Sequence, residues 1–244
     1  MRIKANIFPI LGAIALVTVA LGASGDMIQL IPSKDNTLYE DSSGNISDGQ
    51  GRYFYVGETL QGSLRRGLIA FDVNKDIPAG STIVSVMLQL NMSKKPIGID
   101  DPTIITFHWA LADWGEGNSD AGDPGGAGTD ARTGDATWVH RFFDTEEWMN
   151  EGGDFSETTS ASLEVDSLGR HTVDSTVGMV ADVQGWVDQP SSNFGWLLKG
   201  NEDIEQSARR FDTRENSNQA NRPLLTVEFD LPSENAAGRW TYFD

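Results

Sequence analysis

From Val84 to Met92 the chain alternates without a break. Val84, Val86, Leu88, Leu90 and Met92 fall on one side; Ser85, Met87, Gln89 and Asn91 fall on the other. Successive side chains of a strand point to opposite faces, so this stretch is a long strand with one face in a core. Ile105, Phe107, Trp109 and Leu111 alternate with Ile104, Thr106, His108 and Ala110 and predict a second long core strand. Near the end, Leu225, Val227 and Phe229 alternate with Leu224, Thr226 and Glu228. The runs 27–32, 53–56, 67–71 and 194–198 read as further strands, and 160–165 with 171–173 as a hairpin across the turn 166–169. Residues 35–52, rich in Asp, Asn, Ser and Gly, read as a loop. Helical spacing occurs once: Met179, Val180, Val183, Trp186 and Val187, with Asp174 or Ser175 as cap and Pro190 as stop. The expected fold is all-β, an antiparallel, jelly-roll-like β-sandwich with one short helix over one end and a long Asp/Gly-rich loop.

A charged turn precedes the last strand. Arg209, Arg210, Asp212, Arg214 and Glu215 lie within seven residues, and so many charges of both signs predict a paired network, since an unpaired buried charge is costly. This turn also carries a resemblance. Phe211-Asp212-Thr213-Arg214-Glu215 followed by Arg222-Pro223-Leu224-Leu225-Thr226-Val227 resembles the closing signature of DNRLRE-type domains. The segments 65–72 (RRGLIAFD), 77–83 (IPAGSTI), 114–117 (WGEG), 135–138 (DATW) and 193–196 (NFGW) continue it in the same order, so that it covers roughly residues 28–230. The resemblance implies a secreted β-sandwich, a fold that some members of the family use as a carbohydrate-binding module. The expected domain is 26–231, with a tail from 232 to 244.

Eighteen basic residues stand against 36 acidic ones, a net charge of −18. That balance argues against nucleic acid and anionic membranes as partners. With no cysteine, neither a disulfide framework nor thiol chemistry is available. Arg2 and Lys4, the apolar run 7–21 and the small residues after it have the pattern of a signal peptide over residues 1–25. The run is shorter than the roughly 20 residues of a membrane span. A secreted or cell-surface protein without a membrane span after processing is therefore expected.

Regular alternation stops between Asp113 and Thr137. Loops of this length often carry function. This one supplies Glu116, Asn118, Asp120, Asp123, Asp130 and Asp135 as hard oxygen ligands. Calcium takes six to eight such ligands, so a calcium site is expected here, against the alternative that these side chains only cap turns. Asp41, Asn45 and Asp48 form a second oxygen-rich set without EF-hand spacing. Trp138, Phe142, Phe143 and Trp148 lie within eleven residues; they either stack on a sugar or seal the core beneath the loop. The candidate ligand-binding residues are Trp114, Trp138 and Trp148 with Arg65, Arg210 and Arg214. The arginines would suit an anionic polysaccharide, with structural ion pairing as the competing role.

No nucleophile elbow, His-Glu-x-x-His or phosphate-binding loop occurs, and His108, His140 and His171 are far apart. No catalytic residue is therefore expected. Two functions remain open. One is a non-catalytic extracellular domain that binds a polysaccharide or cell-surface glycan, with calcium as a possible cofactor. The other is a structural surface or matrix protein, a homo-oligomer or filament subunit, assembling through a strand edge or the aromatic tail 240–243.

Overall fold

A computed structural model describes residues 25–99 and 101–232. The expected signal segment (but for Gly25) and all but the first residue of the tail lie outside them. Along the chain run β1 (Asp26–Leu30), β2 (Lys34–Tyr39), β3 (Ile46–Ser47), β4 (Tyr53–Glu58), β5 (Leu64–Ala70), β6 (Thr82–Lys94), β7 (Thr103–Ala110), β8 (Thr129–Asp130), β9 (His140–Phe142), β10 (Glu146–Glu147), β11 (Phe155–Val165) and β12 (Gly169–Val173). They are followed by α1 (Val177–Asp188), β13 (Trp196–Lys199), β14 (Arg209–Asp212) and β15 (Leu224–Asp230). The fold is all-β with one short helix, as the alternation predicts. Among the described residues no helix is long and apolar enough to cross a membrane.

Nine strands form one continuous antiparallel path, β1-β15-β6-β14-β4-β5-β13-β7-β11, with β12 added beside β6 and β2 beside β5. The path curls at β4. Its residues 53–56 pair with β14, whereas Gly57 and Glu58 pair with β5. Gly57 has φ +110°, and a Cβ there would come within 2.9 Å of the Ser207 and Ala208 backbone. The corner therefore needs a residue without a side chain.

Curling brings the two halves onto one core. Val86, Leu88, Leu90 and Met92 from β6 share it with Ile105 and Phe107 from β7, Leu163 and Val165 from β11, Trp196 from β13, Phe211 from β14 and Val227 from β15. Each such side chain contributes about 1.5–3 kcal/mol of burial. The alternation of β6 holds from Val86 onward but breaks at Val84, which is exposed while Ile83 is buried. On β15, Glu228 faces Ser85 and the next residue, Phe229, faces Ile83. Val84 is thus the extra residue of a β-bulge, which shifts the phase by one. On β7 the inward set also ends early: Trp109 is half-buried, Ala110 is buried and Leu111 is exposed.

The stretch read as a hairpin is not one. β11 pairs with β7 and β12 pairs with β6, so the turn at 166–168 carries the chain from one half of the sheet to the other. The helix starts one or two residues later than predicted: Thr176 is its cap, with its Oγ1 accepting from the Met179 amide at 3.0 Å. Its buried face is Met179, Asp182, Val183, Trp186 and Val187. Trp186 lies against Trp196 with ring centres 4.6 Å apart.

The long segment after β7 builds a core of its own. Trp114, Ala136, Trp138 and Trp148 pack with Leu38 of β2, Leu68 and Ala70 of β5 and Leu197 of β13. Leu68 and Ile69 are neighbours on β5, so successive side chains enter different cores and the strand is buried on both faces. The segment is pinned by the β3–β8 and β9–β10 ladders and by Gly152 donating to the Trp138 carbonyl at 2.7 Å.

Candidate functional site

Three segments far apart in sequence converge on one acidic centre. Asp35 comes from β2, Glu116 from the segment after β7, and Glu215 from the turn between β14 and β15. One carboxylate oxygen of each lies within 4.8 Å of the other two. Among the described residues no other three His, Asp or Glu side chains are grouped this way.

The residues around 35 were expected to be a loop because they are polar. They form β2 instead, and Asp35, Asn36 and Thr37 are buried. The polar groups of Asn36 and Thr37 are satisfied laterally. Asn36 Nδ2 donates to Ser47 Oγ at 3.0 Å and to the Ala136 carbonyl at 3.3 Å, and Thr37 Oγ1 accepts from the Tyr55 amide at 3.0 Å. A polar strand can be buried when each group finds a partner.

Arg214 organises the centre. Its Nε donates to Glu116 Oε1 at 2.7 Å and its Nη2 to Glu116 Oε2, a two-pronged pair. The same Nε lies 2.9 Å from Glu215 Oε1, and the Arg214 amide donates to Asp35 Oδ2 at 2.9 Å. Glu116 Oε1 also accepts from the Asp35 amide at 2.9 Å, and its Oε2 from Gln50 Nε2 at 3.2 Å. Asp35 Oδ1 and Glu215 Oε2 are buried without a hydrogen-bond partner. Burial, then the charge of Glu215, holds the Asp35 carboxyl well above the usual carboxylate range, with the Arg214 amide opposing. Burial also raises Glu215, against the attraction of Arg214. The Arg214 guanidinium is raised, chiefly by its hydrogen bond to Glu116.

Asp48 lies nearby. Its Oδ1 accepts from the Ala121 amide at 2.7 Å, while Oδ2 is buried without a partner. Burial pushes its carboxyl up to about 7; the Ala121 hydrogen bond opposes this and the charges of Asp120, Asp135 and Glu215 add to it.

Of the six oxygen ligands expected in the long segment, only Glu116 reaches this centre. Asp135 is fully buried, accepting from the amides of Asn118 at 2.8 Å, Ser119 at 3.3 Å and Arg132 at 2.7 Å. Asp120 accepts from the Gly122 amide at 2.9 Å. Asn118, Asp123 and Asp130 are exposed, and Asp123 stands 3.9 Å from Arg210 Nη1. Asp120 and Asp135 therefore accept from turn amides, and among the described residues only Glu116 of the six belongs to a close group of carboxylates.

The tryptophans are corrected in the same way. Trp114, Trp138 and Trp148 are 1%, 7% and 6% exposed and belong to the second core. A ring enclosed on both faces cannot stack on a sugar. Trp114 Nε1 donates to the Phe194 carbonyl and Trp148 Nε1 to the Thr137 carbonyl, both at 2.9 Å, which satisfies their polar ends.

The three candidate arginines separate. Arg214 belongs to the acidic centre. Arg65 and Arg210 line a groove of about 240 Å³ together with Lys94 and Lys95. Four cations there share the lining with one carboxylate, Glu58, while Asp123 stands 3.9 Å from Arg210, in a chain of net charge −18. Tyr55, Leu60, Pro96 and Pro124 supply apolar lining. Arg210 stacks 3.7 Å over Tyr53 and donates from Nε to Ser93 Oγ at 3.0 Å, and Arg65 stacks 4.9 Å over Tyr39. These contacts fix where the guanidinium groups sit. Lys94 and Lys95 were not singled out in the sequence; the signal for them was a Lys-Lys-Pro end to the longest alternating strand.

The charged turn is paired, but not throughout by carboxylates. Arg209 is 1% exposed, and its Nη1 donates to the Ser207 carbonyl at 2.9 Å and its Nη2 to the Asp101 carbonyl at 3.1 Å. The histidines are apart here too: His108 bridges the Ser156 carbonyl and Thr106 Oγ1, His140 lies by the Gly44 carbonyl, and His171 by that of Ser167.

No protein-family model matches this chain, and no curated protein sequence matches it.

Proposed function

We propose that this chain is a non-catalytic extracellular domain that binds an anionic polysaccharide, of the uronate or sulfate class, in the groove between Arg65 and Arg210. The observation that carries this reading is the charge reversal: four cationic side chains line one concave surface of a strongly acidic protein. Fixed guanidinium groups suit carboxylates and sulfates, and Tyr55 with Pro124 offers an apolar face to sugar C–H bonds. The resemblance to DNRLRE-type domains, some of which serve as carbohydrate-binding modules, agrees with a sugar ligand but does not bear on its charge.

The test is calorimetric titration with oligo-uronates and with neutral oligosaccharides of equal length. Binding of the uronates alone is expected, weakened at least tenfold in Arg210→Ala and reduced by added salt, which screens exposed charges. Equal binding of neutral chains, or no effect of Arg210→Ala, rejects the groove.

A second reading, a self-assembling surface subunit, draws on β1. Among the described residues this edge strand pairs on one side only, with β15, and leaves Met27 64% exposed. An open edge is a template for another strand. Light scattering on the protein separates the two: large ordered assemblies favour this reading, and a stable monomer favours the first.

A further inference from the structure

We propose that Asp35, Glu116 and Glu215 hold one hard divalent cation, calcium by preference, with Asp35 Oδ1 and Glu215 Oε2 as its protein ligands beside Glu116.

Two separate observations lead there. The first is the grouping: three carboxylates from three segments, each offering an oxygen within 4.8 Å of the others, a spacing that one ion at about 2.4 Å from each can span. The second is the orphaned oxygens. Asp35 is fully buried and its Oδ1 has no donor; Glu215 is partly exposed, but its Oε2 is buried and has no donor either. Buried carboxylate oxygens are ordinarily hydrogen-bonded or bound to a metal.

The formal charge suits a divalent ion better than a single shared proton. Three carboxylates around one guanidinium leave a formal −2. A single proton shared between Asp35 and Glu215 leaves −1 in a buried site, whereas one divalent cation brings the centre to neutrality. The donor set is all oxygen, without His or Cys, which selects a hard ion over zinc or copper. Water can complete the coordination, because Arg214 is 30% and Glu215 15% exposed at the outer side. Arg214, bonded to both Glu116 oxygens and beside Glu215 Oε1, then acts as a positioning residue.

This site shares no residue with the basic groove, so its fate is independent of the polysaccharide reading. The ion would join β2, the long segment and the turn before β15. Of the six residues expected as calcium ligands in the long segment, only Glu116 takes part.

The experiment uses the whole protein, stripped with chelator and titrated with calcium and with magnesium by calorimetry, alongside thermal melts. One calcium per chain is expected, with Tm raised by roughly 5–10 °C at calcium a hundredfold above its Kd. Glu215→Gln, nearly isosteric and at the outer side, is expected to lower the affinity at least tenfold. Asp130→Asn, at the exposed end of β8, is expected to leave it unchanged. No heat and no Tm shift with millimolar calcium or magnesium overturns the site and leaves the shared proton. Wild-type affinity in folded Glu215→Gln also overturns it. Should Glu215→Gln fail to fold, the wild-type titration decides alone.

Discussion

The indole N–H of Trp196 donates to Oδ2 of Asp182 at 2.7 Å, inside the core. This one bond ties the inner face of α1 to the middle of the sheet, and it explains a charged residue on the buried side of a helix. Removing the acceptor leaves the indole N–H without a partner in an apolar setting. Asp182→Ala is expected to cost about 2–3 kcal/mol, and Asp182→Asn, which keeps an acceptor, under about 1 kcal/mol. Urea denaturation followed by tryptophan fluorescence measures both.

Asp48 predicts a dependence on pH. Its carboxyl titrates near 7 in the folded chain, against 3.8 for the ordinary group. A raised acid pKa means that the folded state holds the proton more tightly. Stability from this group is therefore complete below pH 4 and lost as pH rises towards 7. The groups acting on it are Asp120, Asp135 and Glu215. Melting temperatures at pH 4.5, 6 and 7.5, in chelator, should fall less steeply in Asp48→Asn than in the wild type. Parallel curves would show that Asp48 keeps an ordinary pKa.

Arg66 joins three parts of the fold. It donates from Nε to Glu202 Oε1 at 2.7 Å, from Nη2 to Glu202 Oε2 at 3.0 Å and from Nη1 to the Gly152 carbonyl at 2.9 Å. It also lies 4.9 Å over the Trp138 ring. Burial raises the Glu202 carboxyl, but the hydrogen bonds and charge of Arg66 outweigh it and the net shift is downward. This contribution is present at neutral pH and is lost as pH falls through the lowered value. Arg66→Lys keeps the charge but not the fork. It is expected to cost about 1–2 kcal/mol at pH 7 and less at pH 3, by chemical denaturation.

Gly117 follows Glu116 at φ +71°, and a Cβ on it would lie 1.5 Å from Asp135 Oδ1. Asp135 cannot yield without releasing its amide partners. Gly117→Ala is expected to cost about 2–4 kcal/mol, from the left-handed backbone and the displaced carboxylate together. Because the displacement starts next to Glu116, a loss of calcium response greater than in Asp130→Asn is also expected by thermal melt.

Much of the frame was legible because it rests on period-two burial. Val86 to Met92 and Leu225 to Phe229 could be placed from spacing alone, and the helix from Met179, Val183 and Trp186. What escaped detection has a common cause. β2 is buried while polar, so its sequence has the composition of a loop; its ladder with β5 and the partners of Asn36 and Thr37, 11 to 100 residues away, make it a strand. The bulge at Val84 leaves the alternation of residue types intact and breaks only the alternation of burial. The partner of β12 is likewise a question of space, and a short turn at 166–168 looks the same whether it closes a hairpin or crosses the core.

The acidic centre was half visible. Arg214 and Glu215 stood out as charges needing partners, and Glu116 as an oxygen donor, yet nothing in the spacing joined 35, 116 and 215. The aspartates around Glu116 drew the calcium expectation towards themselves because turn-capping and ion-binding use the same residue types. The tryptophans posed the same ambiguity, since dense aromatics suit either a platform or a core, and Leu68 and Leu197 decided for the core.

The second core has a geometric consequence. Because the segment after β7 lies over β5 and β13 on the side opposite the main core, that side of the sheet is already occupied by the chain itself. Leu68 and Leu197 cannot meet another molecule face to face. Whatever this domain touches at that position meets the covering segment and not the face of the sheet.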